Sequence, residues 1–403
     1  MAFEMGTGSS RHARGRGVVA GCVLLAFALV LGGCDWPQFL AGPQHTGYNA
    51  GETRLTRANV GRLRVVWQAT QPSTGAFSPA VVGGRVYVEG GVLDAGTGAP
   101  VPEAAGVVPG QSPAVTGTTV VGCQSLFGAT AVDTQTGAVR WSVPDVNCSA
   151  GGGHAIANGV DYLPVGSGPA LAVGAFRVAT GQQVWRRAPC PNGESLAGGS
   201  PTVGRGVAVV RCFAGEGVIG HTLVAVDAAT GRPRWATELE TSILGSVPVI
   251  AGDRVFVGGG GLGFDEVRPP GEIFCLDVRT GALLWRTTIP EPVGISATST
   301  DGDGLYVLDT SGVLRRLDPA TGAIEWTNWT EPPGSNGAPA VANGVISTAS
   351  FSGRVEAFDT RDGRRLFTTE LGQTVHGATP VVANGTLYVN TSANGLVALR
   401  PPA

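Results

Sequence analysis

Two short segments are the first places where this sequence has residue types suited to ligand chemistry. Residues 258–263 match the Gly-x-Gly-x-x-Gly spacing of nucleotide-binding loops, but Pro269 and Pro270 follow where such a site needs a helix. Residues 300–304 carry two aspartates at a spacing found in calcium loops, but Gly312 occupies the position that should supply a glutamate. Both segments are therefore predicted to be loops or turns between strands.

Residues for nucleophilic or acid–base chemistry are few. The chain has five histidines and no lysine, so Schiff-base chemistry on a lysine is excluded. His154 and His376 lie near the starts of predicted inner strands, where they could face a central opening. Both are interpreted as solvated or structural side chains. No Gly-x-Ser-x-Gly segment marks a serine hydrolase.

The N-terminus has the layout of a bacterial lipoprotein signal. Three arginines between residues 11 and 16 precede an apolar run that ends in Leu31-Gly-Gly-Cys34. This ending resembles a lipobox, where cleavage precedes the cysteine and the thiol receives a lipid. We predict a signal peptide over residues 1–33, lipidation of Cys34 and an extracytoplasmic location on the cell membrane. The alternative is a membrane helix, for which the run is short. Asp35 follows, a residue that in Gram-negative relatives favours retention on the inner membrane.

Four further cysteines are expected to form disulfides, because exported proteins are oxidised. Cys123 and Cys212 end predicted second strands, and Cys148 and Cys190 lie in loops at the same face. Three connectivities are possible, and we favour Cys123–Cys148 with Cys190–Cys212, since each pair is nearest in its own region. Cys275 lies in an apolar strand and is predicted to be buried and free.

A recurring pattern, Asp-x-x-Thr-Gly-x-x-x-Trp, predicts the elements that carry these residues. Complete copies run from Asp133 to Trp141, Asp227 to Trp235, Asp277 to Trp285 and Asp318 to Trp326, and altered copies run from Arg177 to Trp185 and from Asp359 to Phe367. The apolar residues before each copy predict a strand, Asp and Gly predict a turn, and the residues after Gly predict a second strand that ends in an aromatic.

A second pattern, Ser-Pro-x-Val followed by a small turn and Val-Tyr-Val, adds two strands before each hairpin, as in residues 78–88. Four strands at a period of about 40 to 50 residues are typical of a β-propeller blade. The last repeat, residues 378–400, lacks a fourth strand, which residues 62–67 supply with Trp67. We therefore predict an all-β fold: an eight-bladed β-propeller of four-stranded antiparallel blades over residues 62–403. An N-terminal strand closes it, and residues 34–61 form a lead-in strap or linker.

The repeats resemble those of the PQQ-like, or quinoprotein-type, eight-bladed propellers. This group includes quinone-dependent alcohol dehydrogenases and BamB-type assembly lipoproteins, and residues 35–67 resemble their usual lead-in. The resemblance implies that aromatic residues dock one blade on the next. These would be Trp67, Trp141, Trp185, Trp235, Trp285, Trp326 and Phe367.

The resemblance implies two classes of function. The dehydrogenases hold pyrroloquinoline quinone (PQQ) on the axis, between a tryptophan floor and a disulfide of adjacent cysteines, with calcium; this chain has no adjacent cysteine pair. We therefore expect no catalytic, cofactor-binding or metal-binding residues, and a lipid-anchored binding or scaffold protein with a protein partner at its loop faces. The alternatives are a PQQ-dependent dehydrogenase and a ligand-sensing propeller. A net charge of −3 without a basic patch argues against nucleic acid as a partner.

Overall fold

The computed structural model describes most of the chain from Cys34 onwards. The described residues are 34–69, 78–104, 106–107, 110–123, 127–147, 153–166, 171–197, 199–213, 221–243, 246–260, 269–330, 337–375, 379–391 and 395–402. The predicted signal peptide, Cys148 and His376 lie outside these residues.

Nearly all regular structure is β, as the alternation of short apolar runs and turns predicts. The first three antiparallel sheets, the second of which is joined by a pair between Val146 and Val165, occupy the N-terminal half. Their strands are β3 (Ala80–Val82), β4 (Arg85–Val88) and β5 (Gly91–Asp94); β6 (Gln111–Thr116), β7 (Thr119–Cys123), β8 (Phe127–Asp133), β9 (Val139–Asn147), β10 (Ala155–Ala157), β11 (Val160–Val165), β12 (Ala172–Arg177) and β13 (Gln183–Arg187); and β14 (Ser195–Leu196), β15 (Thr202–Gly204), β16 (Val207–Phe213), β17 (His221–Asp227) and β18 (Pro233–Leu239).

Four more sheets follow, and two of them take in a strand from the N-terminal region. Their strands are β19 (Val249–Ala251), β20 (Arg254–Gly259), β21 (Gly271–Asp277) and β22 (Leu283–Ile289); β23 (Ile295–Thr300), β24 (Leu305–Asp309), β25 (Val313–Leu317) and β26 (Ile324–Trp329); β27 (Ala340–Ala342), β28 (Val345–Ala349), β29 (Arg354–Asp359) and β30 (Arg365–Glu370) with β1 (Tyr48–Asn49); and β31 (Val381–Ala383), β32 (Thr386–Thr391) and β33 (Gly395–Arg400) with β2 (Arg64–Ala69). Short 3-10 helices cover Phe39–Ala41, Val60–Arg62 and Pro102–Ala104.

The N-terminal strand β2 completes the last sheet. It pairs antiparallel with β33, from Arg64 opposite Arg400 to Ala69 opposite Leu396. The two ends of the described chain therefore meet in one sheet, as the repeat pattern predicts.

The first sheet differs from the predicted four-stranded blade, because it has three strands. Where a fourth strand should run, Pro100 makes one isolated bridge to Leu93, and the 3-10 helix Pro102–Ala104 follows. The two prolines lack the N–H groups that a ladder needs, so no regular strand forms there.

The six predicted docking tryptophans each join one repeat unit, meaning the strands of one repeat, to the unit after it. Each indole N–H donates to a backbone carbonyl in the next turn, an arrangement that we call an indole lock. The locks are Trp67 to Ala95 (3.2 Å), Trp141 to Val178 (2.7 Å), Trp185 to Ala228 (2.9 Å), Trp235 to Val278 (2.9 Å), Trp285 to Pro319 (3.1 Å) and Trp326 to Thr360 (3.1 Å).

The glycine of each of these turns packs against the indole ring of the preceding unit. Gly98, Gly181, Gly231, Gly281, Gly322 and Gly363 all have φ between 69° and 74°, and a Cβ on any of them would overlap the ring. The repeat therefore needs glycine at this position for two reasons, the left-handed backbone and the close approach of the indole ring.

Phe367 lies at the one junction where the repeat swaps tryptophan for phenylalanine. It is half-buried and packs against the cluster that contains Trp67, and the 3-10 helix Val60–Arg62 lies beside its strand. A Cβ on Gly61 of that helix would lie 3.2 Å from the Leu366 carbonyl. A helix replaces the Asp-Thr-Gly turn here.

Candidate functional site

The lead-in segment is an ordered strap that binds the first strand of each repeat unit in turn. Its bonds are mostly made by backbone atoms of the strap, and their order follows the order of the units. They join Trp36 to Val81, Pro37 O to Val115 N, Gln38 Oε1 to Ile156 N, Pro43 O to Val203 N, Gln44 O to Ile250 N, Thr46 O to Thr300 N, Gly47 O to Val341 N and Asn49 Nδ2 to Val382 O, at 2.7–3.0 Å. The first strands therefore converge on one short peptide.

The backbone of the strap is strained at three residues along its path past the first strands. Leu40, Ala41 and His45 have φ of 50°, 69° and 57°, a region that costs non-glycine residues about 1–3 kcal/mol each. Gly47 has no room for a side chain beside Ser299. Such strain persists only where surrounding contacts fix the chain, and here those contacts are the bonds to the first strands.

His45, which the sequence left without a role, is the fully buried polar centre of the strap. Its Nδ1 lies 2.9 Å from Thr202 Oγ1, and that hydroxyl donates to the Pro248 carbonyl at 2.7 Å. The imidazole Nδ1 is therefore the donor to Thr202. Burial lowers the pKa of His45 to about 3, so the ring is neutral at physiological pH. Its role is structural.

His154 does not face an open channel; it is completely buried. Its Nδ1 lies 2.7 Å from Asp161 Oδ2, and its Nε2 lies 3.8 Å from Cys123 Sγ. These residue types in this order occur in cysteine nucleophile triads, but Cys123 is disulfide-bonded and offers no thiol. Neither the sequence spacing nor any motif predicted this cluster, because Cys123 and Asp161 come from different repeat units.

The other cysteines lie close to where the sequence predicts. Cys190 and Cys212 form a disulfide with an S–S distance of 2.04 Å. Cys148, the predicted partner of Cys123, lies outside the described residues, so that pairing stays a prediction. Cys275 is free and buried, and burial raises the pKa of its thiol to about 12. Cys34 is half-buried and donates from Sγ to the Gly51 carbonyl at 2.9 Å.

The strand connections define two faces. The turn face carries the connections from first to second strand and the Asp-Thr-Gly turns, which bond to each other, as in Ala228 N to Gly206 O at 2.9 Å. The loop face lies at the opposite ends of these strands and carries the described connections from second to third strand, such as residues 310–312. Cys123, Cys190 and Cys212 lie at the loop face, in agreement with the sequence prediction that they share a face.

The loop face also carries an exposed tryptophan that no indole lock uses. Trp329 ends β26 with 59% of its surface exposed. It lines a pocket of about 320 Å³ with Ile289, Pro290, Val313 and Ile324 among the other lining residues. Aromatic side chains beside shallow apolar pockets are common anchors in protein interfaces.

Residues 300–304 form a turn, as the sequence predicts. The Asp301 carboxylate accepts the N–H groups of Asp303 and Gly304 at 3.1 Å and 2.9 Å, and the Tyr306 hydroxyl at 2.8 Å. Across the described residues, no three His, Cys, Asp or Glu side chains are grouped as metal ligands. In the same part of the chain, no helix has the length and apolarity to cross a bilayer.

Comparisons with known proteins identify the repeats. Residues 171–267, 245–333 and 310–401 match the family described as outer membrane protein assembly factor BamB. A stretch of 160 residues is 32% identical to the dehydrogenase subunit of a quinone alcohol dehydrogenase of Gluconobacter oxydans (strain 621H); it spans 37% of this chain and only 20% of that subunit.

Solved structures share the fold at low sequence identity. BamB from Moraxella catarrhalis matches with a TM-score of 0.59 at 15% identity, over 84% of this chain and 97% of that one. A europium-containing methanol dehydrogenase matches with a TM-score of 0.63 at 16% identity, over 89% of both chains. Because the family match extends over more than half of its length, this chain belongs to the PQQ-like repeat family of the outer membrane protein assembly factor BamB.

Proposed function

We propose that this protein is a lipid-anchored, extracytoplasmic β-propeller that acts as a non-catalytic binding scaffold at the cell envelope. Its loop face receives a protein partner, and Cys34 carries the lipid. Nucleic acid is not a partner. The observation that carries the proposal is the strap. It bonds to the first strand of every described repeat unit, so the inner edges of the units hold the fold together instead of forming a ligand site.

The proposed architecture is an eight-bladed closed ring. If β6–β9 and β10–β13 count as separate blades, the described strands divide into eight units. The pairing of β2 with β33 supports closure, because it joins the last unit to the strand whose Trp67 locks onto the first unit. The strap supports the same count, since it bonds to eight first strands in sequence order.

The residues that the dehydrogenases use for PQQ do not fit here. A quinone site of that kind needs a tryptophan floor, and all eight tryptophans of the chain have other places. Six form indole locks, Trp36 is buried in the strap beside Val81, and Trp329 lies on an outer strand. The cysteines described at the loop face are also separated in sequence, so they cannot form a disulfide of neighbours.

The quinone dehydrogenase alternative rests on the local identity to the Gluconobacter subunit, and it has a direct test. Purified protein would be mixed with PQQ and calcium, and its melting temperature and dye-linked alcohol oxidation measured. We expect no rise and no turnover. A tight complex at 100 times its dissociation constant would add about 2.7 kcal/mol of stability, and such a rise with turnover would establish the dehydrogenase instead.

The scaffold role is tested by photo-crosslinking in membranes. A crosslinking amino acid replaces Trp329 on the loop face, and in the matched control it replaces Ala229, an exposed residue of the Asp-Thr-Gly turn at residues 227–231. We expect a discrete protein adduct from position 329 and none from position 229. Adducts from neither position, or equal adducts from both, would contradict a partner at the loop face.

A further inference from the structure

Cys34 is bound tightly to the body of the protein. Its carbonyl accepts the N–H of Asn384 at 3.0 Å and the side-chain amide of Asn49 at 3.0 Å, two bonds that a lipid on Sγ leaves in place. Two separate segments, the strap around Asn49 and the turn at Asn384, therefore hold one residue. A lipid attached to this sulfur would begin at the protein surface, with no linker residues between.

The two residues after Cys34 are also fixed. The Asp35 carboxylate accepts the Gly83 N–H at 3.3 Å and the Asn384 side-chain amide at 3.1 Å. Trp36 is fully buried and exchanges two backbone bonds of 2.8 Å with Val81. Because its next two neighbours are fixed, Cys34 can move only a short way from the surface, so the strap does not act as a tether.

The fixed residues lie on the turn face, close to where the first strands converge. Gly83 and Asn384 belong to the turns that follow β3 and β31, which are first strands of their sheets. The strap continues from Cys34 across the remaining first strands. The attachment point is therefore near the middle of the turn face and not on the outer rim.

We propose that the turn face of the protein lies flat against the lipid bilayer, and that the loop face points away from it. This inference rests on the lipidation of Cys34 proposed above. Because no linker residues separate the lipid from the protein and the attachment lies near the middle of a face, that whole face is brought to the lipid headgroups. Strands of five to seven residues, such as β24 and β21, separate the two faces, which at ~3.3 Å per residue is about 15–20 Å.

Energy transfer to the membrane measures this orientation. The full-length lipoprotein would be reconstituted in vesicles of phosphatidylethanolamine and phosphatidylglycerol with a few acceptor-labelled headgroups. Donor dye would be placed on Thr53→Cys near the anchor, on Ala229→Cys elsewhere on the turn face, and on Trp329→Cys on the loop face. The unsubstituted protein, whose Cys275 is buried and whose Cys190 and Cys212 are bonded, measures background labelling.

We expect transfer from Thr53→Cys and Ala229→Cys to exceed transfer from Trp329→Cys by about twofold or more, since the faces differ by about 15–20 Å in depth. A short Gly–Ser insertion between Cys34 and Asp35 should remove the difference while the protein stays acylated. Equal transfer from all three sites in acylated protein overturns the orientation and leaves the lipid anchor in place. High transfer from Thr53→Cys alone also overturns it, because the ring would then stand on edge.

The two proposals fail in different ways. Mass spectrometry of the N-terminal peptide and flotation with the vesicles report lipidation independently of orientation. Protein that is not acylated and does not float refutes the anchor, and the orientation with it. Protein that floats through Cys34 and shows no preference between faces refutes only the orientation.

Discussion

The repeat units are joined in two ways, at their outer edges by the indole locks and at their inner edges by the strap. A lock joins one unit to the next, uses a tryptophan side chain, and recurs with nearly the same geometry. The strap is a single non-repeating peptide that reaches every first strand, mainly with backbone atoms. Local repeated contacts make the sheets adhere to their neighbours, whereas the strap makes the whole set of units interdependent.

The largest effect is expected at Trp67, because its strand β2 both completes the last sheet and carries a lock on the first unit. Trp67→Ala removes the lock on Ala95 and loosens β2 from the last sheet. We expect a loss of ~3–5 kcal/mol in the free energy of unfolding, measured by urea denaturation. Trp329→Ala is the control, and because that side chain is 59% exposed its change should stay within ~0.5 kcal/mol. Similar losses in both variants would mean that β2 contributes little to closure.

A second pair of variants separates backbone strain from packing in a lock. Gly181 (φ 70°) and Gly159 (φ 73°) share a left-handed backbone, but a Cβ on Gly181 would meet Trp141 at 2.7 Å, and one on Gly159 would meet nothing within 4 Å. We expect Gly159→Ala to cost ~1–2 kcal/mol from strain alone, and Gly181→Ala about 1–3 kcal/mol more from overpacking. Urea midpoints measure both. Equal losses of stability in the two variants would show that close packing of Gly181 against the indole does not stabilise the lock.

These two ways of joining also explain what the sequence could predict. The locks depend on side chains, Trp141 and Gly181 for example, so their spacing recurs and identifies the repeat. The strap depends on carbonyl groups such as Pro43 O and Gln44 O, which every residue has, so no residue pattern predicted where it runs. The missing fourth strand of the first sheet was signalled only by Pro100 and Pro102.

The buried side-chain clusters were unpredictable for a related reason. His45 and Thr202, or His154 and Cys123, are distant in sequence and meet only because the fold brings their units together. The sequence led to an interpretation of His154 as a solvated or structural side chain, but its burial and its hydrogen bonds follow from the fold alone.

The strap should weaken as pH falls, because His45 must stay neutral to remain buried. Its pKa is lowered to about 3 in the folded protein and is about 6.5 when unfolded. The unfolded state therefore binds the extra proton first, and stability falls as pH decreases from 6.5 towards 3, by up to about 1.4 kcal/mol per pH unit. The difference in the free energy of unfolding between wild type and His45→Asn, followed as a function of pH, isolates the contribution of the imidazole. Asparagine is chosen because it tolerates the left-handed backbone. A pH-independent difference would show that the pKa of His45 is the same in the folded and unfolded states, as for an accessible ring.

The smallest effect distinguishes two locks that look alike. Trp185 and Trp235 are 8% and 9% exposed, and each donates at 2.9 Å to a carbonyl. Trp185 shares its acceptor, Ala228 O, with the Tyr162 hydroxyl at 3.1 Å, whereas Val278 O has no second donor among the described residues. Phenylalanine at either position removes the N–H and the same ring volume. Only Trp235→Phe, however, leaves a buried carbonyl, Val278 O, unpaired.

Trp235→Phe should therefore destabilise the protein by about 1 kcal/mol more than Trp185→Phe, because an unsatisfied buried acceptor costs ~1–3 kcal/mol. Urea midpoints at matched protein concentration resolve this difference if both transitions keep the same slope. Adding Tyr162→Phe to Trp185→Phe leaves Ala228 O unpaired too, so the double variant should lose about 1 kcal/mol beyond the sum of its parts. Strict additivity, with equal losses in the two single tryptophan variants, would assign the locks to ring packing alone and give the indole N–H no share in holding the units together.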